Sequence, residues 1–383
     1  MLTERYVDRP SANLRVCYTP RAMKRYPAFD PPEYVNWQSD PALVAEFAET
    51  LERDDARRAV VASLDDEKLL ALYAGMLRNR LHDIALKRWV RNGIISKAWL
   101  GTGEEAATVG GVNALERDDV VAPMIRNAGA CHEMGMPIAD MLRGYLATPD
   151  SPNAGRDLHI GDIAHNVVGP ISHVGAMVPV MAGIALSFKM RGERRVAMTW
   201  VGDGSTKTGE FYEGLNLAAQ QRVPLVVVIQ NNQVALGTHI RQHHRGSFAD
   251  WPDAFGVEGA VFDGNNVLDS YAATRLAADA CREGRGPVIL VAETFRMGGH
   301  ATHDEREARD TFPAELFEHW GKRDPIGLYE EYLVTRDIAR ERLAEVEARV
   351  EDEIERAAAE ALSSRERGGF TREDALRGVY ADA

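Results

Sequence analysis

The chain has 383 residues, of which 45% are hydrophobic and 27% charged, proportions ordinary for a globular protein with one large core. No apolar run approaches the roughly 18 residues needed to cross a bilayer, which excludes a helical membrane protein. The net charge of -13, with basic residues scattered among acidic ones, repels a phosphate backbone and excludes nucleic acid as a partner.

The first residues, Met1 to Arg15, are polar, include acids and carry neither an apolar stretch nor a leader composition, so a cytoplasmic protein is expected. Cys17, Cys131 and Cys281 lie far apart without CxxC spacing, which argues against a disulfide framework or a zinc cluster. The span 1–64 is rich in Pro, Asp and aromatics and lacks sustained periodicity. It is expected to be an extended arm over a surface, of the kind that reaches a partner subunit. From Asp65 to about Trp89 apolar residues recur at helical spacing (Leu69, Leu72, Tyr73, Met76, Leu77, Leu81, Ile84, Ala85), which predicts a long amphipathic helix ended by Gly93.

The span 65–312 then alternates helical stretches with short β-branched runs. Residues 194–201, 224–230 and 287–293 are the clearest strands, with helices near 174–190, 209–221 and 267–283. This pattern predicts an α/β fold: a parallel sheet with helices on both faces. After Phe312 the chain turns charged and helical, a C-terminal extension over 313–383. Its stretch from Asp337 to about Leu362 reads as a solvated helix that packs by one stripe.

Strand 194–201 runs straight into Gly202-Asp203-Gly204, and strand 224–230 into Asn231-Asn232. Both polar clusters therefore fall at the carboxyl ends of parallel strands, the edge where open sheets bind ligands and where backbone N–H groups meet anions. An Asp carboxylate, an Asn amide oxygen and phosphate oxygens are hard donors suited to octahedral Mg²⁺. Alone, Gly-Asp-Gly and Asn-Asn are common loop sequences. Here the 26 residues from 205 to 230 separate them and hold one helix and one strand, as a crossover between parallel strands requires.

This spacing resembles the thiamine diphosphate fingerprint. By that resemblance Asp203, the Asn232 side chain and the Val234 carbonyl bind Mg²⁺, while Gly202, Gly204 and Ser205 meet the diphosphate. From about Leu69 to Leu333 the chain resembles the alpha subunit of the decarboxylating component of 2-oxo acid dehydrogenase complexes. Gly103-Glu104-Glu105-Ala106 and Asp119-Val-Val resemble family segments, and Arg126 falls where the family places an Arg on the diphosphate. Ile125 stands where the family usually has Tyr. Ser172 and Val174, in Ser172-His173-Val174-Gly175, match a stretch whose backbone meets the aminopyrimidine. Arg245, in a loop with His239, Arg241, His243 and His244, resembles the second diphosphate Arg. Those histidines lack carboxylate or Cys partners at ligand spacing, so the loop reads as shaped around phosphate rather than metal.

Arg296-Met-Gly-Gly-His300-Ala-Thr-His303-Asp304 resembles the family loop that closes over the site and meets the lipoyl arm. It implies a catalytic, cofactor-contacting role for His300. Where some members carry a phosphorylatable Ser, this chain has Ala301. The resemblance further implies a beta subunit that supplies the activating Glu, an alpha/beta heterotetramer, a lipoyl-bearing acyltransferase partner and a 2-oxo acid substrate. Gly155-Arg156-Asp157-Leu158 looks more like branched-chain types, with pyruvate or acetoin types next. A transketolase-like amino-terminal half and a non-catalytic subunit retaining the fold are the rival readings.

Overall fold

The computed structural model describes residues 23–368 and 371–376. Five parallel strands form one sheet in the order Val120–Ala122, Ala197–Gly202, Leu225–Asn231, Val288–Glu293, Glu258–Asp263. The period-2 alternation of strand side chains sorts the core. Met198, Trp200, Val226, Val228 and Leu290 join one apolar cluster, while Val201, Val227, Ile229, Ile289 and Val291 join a second on the opposite face. The helices Met177–Arg191 and Gly209–Gln221 cover the second face. Those at Asp66–Arg91, Glu105–Asn113 and Val267–Arg282 pack in the first. Strand Leu225–Asn231 is buried at every residue, which is why it reads as an unbroken apolar run.

The edge strand Glu258–Asp263 was not among the expected ones. Its sequence, Glu-Gly-Ala-Val-Phe-Asp, lacks a β-branched run and most of it is solvent-accessible; its pairing with Val288–Glu293 makes it a strand.

The expected helix spans Asp66–Arg91, capped by the Asp65 side chain on the Lys68 N–H, and gives way at Asn92 to Gly93 with φ +69°. It is not amphipathic, however. Leu72, Met76 and Leu77 are buried, but so are Asn79, Arg80, His82 and Asp83 on other faces, because the surrounding helices enclose it. Arg80 is ion-paired to Glu105 and, at 3.0 Å, to Asp324, and Asp324 also pairs with Arg25.

Over residues 23–64 the expected extended arm is instead mostly helical from Pro32 onward and packed on its own chain, while residues 1–22, Cys17 among them, lie outside the described residues. The Asp and Pro residues that suggested an extended chain start helices. Asp40 caps Pro41–Glu52, with Pro41 in the first turn, and Asp54 caps Asp55–Ala62. The Met23 N–H bonds Glu330 at 3.1 Å, and Arg309 holds Glu33 through two 2.9 Å hydrogen bonds. At the other end Arg340–Arg367 is the single-stripe helix expected, burying Leu343, Val346, Val350, Ile354 and Ala361.

His82 and His132 meet edge to face with ring centroids 4.9 Å apart, wholly enclosed, and none of their four ring nitrogens has a hydrogen-bond partner. Burial lowers the pKa of His82 to about 4 and that of His132 well below the usual value. An unfolded histidine titrates near 6.5, so between pH 6.5 and 4 the unfolded chain binds more protons and stability falls as pH falls. We expect His82→Leu to lose about 2 kcal/mol less than the parent between pH 8 and pH 5. Urea unfolding of both proteins at the two pH values measures this, and equal losses would refute it.

Candidate active site

The carboxyl ends of Ala197–Gly202 and Leu225–Asn231 open onto a cavity of about 440 Å³. Its walls bring together Arg126, Ser172, Val174, Gly202, Asp203, Gly204, Ser205, Asn232, Val234 and His300, which are distant in sequence. Register explains part of this: Gly202 lies opposite Gln230, so the Gly-Asp-Gly and Asn-Asn loops leave the sheet side by side. They also touch, since a Cβ on Gly204 would stand 2.4 Å from that of Ala235. Gln233 and Leu236, both at positive φ, flank Val234 in that second loop.

Asp203 is 1% exposed. Its Oδ1 accepts the Gly204 N–H at 2.8 Å, while its Oδ2 is enclosed without a hydrogen-bond partner, and burial raises its pKa. The Asn232 amide donates to Glu104 Oε1 at 2.9 Å, and the same oxygen accepts from Gln230 at 3.0 Å. Gln230 in turn accepts from Asn127 at 2.9 Å. Glu104, absent from the expected site, thus fixes the amide beside Asp203.

Two guanidinium groups are buried at the cavity. Arg126 donates to the Leu100 carbonyl at 2.9 Å and the His300 carbonyl at 3.2 Å; Arg296 donates to the carbonyls of Val234 at 3.3 Å and Leu236 at 2.9 Å. Among the described residues neither lies within ion-pair distance of a carboxylate. Burial and then Arg126 lower the pKa of Arg296 to about 10. The buried carboxylates of Glu104 and Asp203 act on these cations through space without contacting them, so both guanidinium groups keep donors free for a polyanion entering the cavity.

Arg245 is corrected by this geometry. It is exposed and does not line the cavity, because the short helix Ile240–His243 and the turn at Gly246 (φ +79°) carry it outward. Arg296 supplies the second buried guanidinium instead; it stands in the Arg-x-Gly-x-His motif, the signal that could have singled it out.

His300 is held between donors. Trp99 Nε1 lies 3.4 Å from its Nε2, and Arg126 Nη2 lies 3.3 Å from its Nδ1. Both neighbours can only donate, and a neutral imidazole has one acceptor nitrogen, so the ring satisfies one of them at a time. Burial, followed by Arg126 and Arg296, lowers its pKa to about 4. The loop carrying it is stitched to the segment carrying Trp99: Thr302 N–H to the Ala98 carbonyl at 2.9 Å, and Met297 N–H to the Thr102 carbonyl at 3.2 Å.

The sequence profile of the dehydrogenase E1 component family matches residues 73–368, most of the chain. The chain belongs to the dehydrogenase E1 component family. It is similar to the pyruvate dehydrogenase E1 component subunit alpha of Porphyra purpurea, 30% identical over 79% of this chain and 91% of that one. It is equally similar, at 30% over 83% of this chain and 97% of the other, to the 2-oxoisovalerate dehydrogenase subunit alpha of Bacillus subtilis. The pyruvate dehydrogenase alpha subunit of Staphylococcus aureus is 31% identical over 74% of each chain. As an E1 alpha-type chain it departs from the expected pattern at Ile125, which lines the cavity as an apolar group. Ala301 follows His300, is 2% exposed and binds Asp304 Oδ1 through its N–H at 2.9 Å.

Among the described residues no helix is long and apolar enough to cross a membrane, and no group of three or more His, Cys, Asp or Glu is arranged to hold a metal. The donor set expected for Mg²⁺ is of another kind: one carboxylate, one amide and one backbone carbonyl.

Proposed function

We propose that this chain is the alpha subunit of a 2-oxo acid dehydrogenase that uses thiamine diphosphate and Mg²⁺ for oxidative decarboxylation with acyl transfer to lipoamide. The observation that carries the reading is the enclosed Asp203 Oδ2, which accepts no hydrogen bond, beside two buried guanidinium groups that no carboxylate contacts. A divalent cation with a diphosphate answers both needs at once. Asp203, Asn232 and the Val234 carbonyl would hold the cation, with Gly202, Gly204 and Ser205 toward the phosphates and Arg126 and Arg296 neutralising them. Ser172 and Val174 are assigned to the aminopyrimidine end. When bound, thiamine diphosphate supplies a nucleophilic carbon and an electron sink for decarboxylation.

His300, neutral at pH 7, can donate or accept a proton at the substrate, and its loop shields the site from water. The E1 family match favours this over a transketolase-like half, and a cofactor titration separates it from a non-catalytic subunit. Ile171, Val174 and Leu236, 42, 54 and 61% exposed at the cavity, form an apolar mouth suited to cover by a beta subunit, which would supply the activating Glu. The acyltransferase partner and cytoplasmic location belong to the same reading.

For substrate we favour a branched-chain 2-oxo acid over pyruvate, the next candidate, or acetoin, because Trp99, Met124, Ile125 and Leu236 present apolar surface to the cavity. Reconstituted with its beta partner and assayed by reduction of an artificial electron acceptor, the enzyme is expected to prefer 2-oxoisovalerate over pyruvate by roughly 10- to 200-fold in kcat/KM. Preference for pyruvate would overturn the substrate assignment. Turnover by the chain alone would overturn the need for a beta subunit.

A further inference from the structure

The His/Arg-rich loop after the Asn-Asn turn contains a group that reaches the proposed cation site from outside the fingerprint. His243 Nε2 lies 3.5 Å from Asp203 Oδ2. Both ring nitrogens of His243 and that carboxylate oxygen are enclosed, and none has a hydrogen-bond partner. Two donors each about 2.1 Å from one octahedral cation stand roughly 3 Å apart when adjacent. The observed separation is close to that of neighbouring ligands.

The loop is fastened so that this approach is retained. His239 caps the helix Ile240–His243, accepting from the Arg241 N–H at 3.3 Å while Gln242 accepts the His239 N–H at 3.0 Å. The Ile240 N–H binds the Gln233 carbonyl at 2.9 Å, next to Asn232. His244 stacks on Phe248 with ring centroids 3.9 Å apart, and Lys207, in the loop that follows Asp203, lies 2.8 Å from its Nδ1. The hairpin Val234–Ala235 with Thr238–His239 closes the base of the loop.

We propose that His243 is a fourth protein ligand to the cation, an inference that rests on the magnesium–diphosphate reading of the site. Asp203, Asn232, the Val234 carbonyl and His243, with two phosphate oxygens, complete six positions. His243 does not itself line the cavity, so it leaves the cavity-facing positions to the diphosphate. An imidazole in the donor set shifts selectivity away from Mg²⁺ toward first-row transition cations such as Mn²⁺ and Co²⁺. The histidines of this loop seemed to lack a carboxylate partner in sequence; folding brings Asp203 to one of them.

Electron paramagnetic resonance of Mn²⁺ and thiamine diphosphate on the chain reconstituted with its beta partner, the chain alone carrying ¹⁵N-imidazole-labelled histidine, tests this directly. A ¹⁵N hyperfine coupling in the parent, absent in His243→Gln, is the expected result. In calorimetry His243→Gln lowers the Mn²⁺-over-Mg²⁺ preference for cofactor binding about tenfold, the loss of one strong polar contact. Tight Mn²⁺ and cofactor binding without the coupling overturns the ligand and leaves the site reading standing, with His243 as a neighbour of Asp203 only. Absence of any cation-dependent cofactor binding overturns both. The parent spectrum decides even where the variant folds poorly.

Discussion

Asp203→Ala is expected to remove Mg²⁺-dependent thiamine diphosphate binding, weakening it by more than about 100-fold, since losing even a residue that only hydrogen-bonds a metal ligand costs 10- to 100-fold. Asp203 is the only carboxylate in the proposed donor set, and the enclosure that raises its pKa in the free protein would be relieved by a cation at Oδ2. The fold should tolerate the change, because the residue makes one side-chain hydrogen bond, to its neighbour Gly204. Isothermal calorimetry with unfolding of the same samples separates the two effects. Unchanged cofactor affinity in a folded Asp203→Ala chain would remove the basis of the functional reading.

His300→Ala is expected to lower kcat by about 10²- to 10⁴-fold in the reconstituted alpha/beta enzyme, the usual worth of a positioned acid–base group. Cofactor affinity should change only a few-fold, because Arg126 keeps its hydrogen bonds to backbone carbonyls at Leu100 and at position 300. With its pKa lowered to about 4, the ring stays neutral across pH 6–8, so its own titration adds no step there. A kcat within tenfold of the parent would reduce His300 to a wall of the cavity.

The parts of this molecule that were legible in sequence share a physical cause. Central strands are buried on both faces and so spell continuous Val/Ile runs, and a parallel sheet concentrates its loops at one edge, so Gly202-Asp203-Gly204 and Asn231-Asn232 could be set side by side from spacing alone. The helix Arg340–Arg367 announced its stripe because only one side of it is buried. Residues 23–64 were misread because Asp and Pro serve equally in helix starts and in extended chain, and only packing against Glu330, Arg309 and the core decides between them. Arg245 and Arg296 exchanged places for a similar reason: proximity in sequence to the fingerprint does not fix which way a loop turns. Trp99 gave no signal, since its relation to His300 depends on hydrogen bonds between segments about two hundred residues apart.

The buried chain of charges Arg25–Asp324–Arg80–Glu105 gives the protein an unexpected wholeness. Arg25 belongs to the first described segment, Asp324 to the extension beyond the sheet, and Glu105 follows the Glu104 that steadies Asn232. An excised piece spanning 65–312, though it contains all five strands, would strand Arg80 with half its partners, and breaking such a buried pair costs roughly 3–5 kcal/mol. The sheet is therefore not a minimal catalytic module onto which ends were appended. For protein engineering, shortening either terminus into the described residues is a change to the support of the cofactor site.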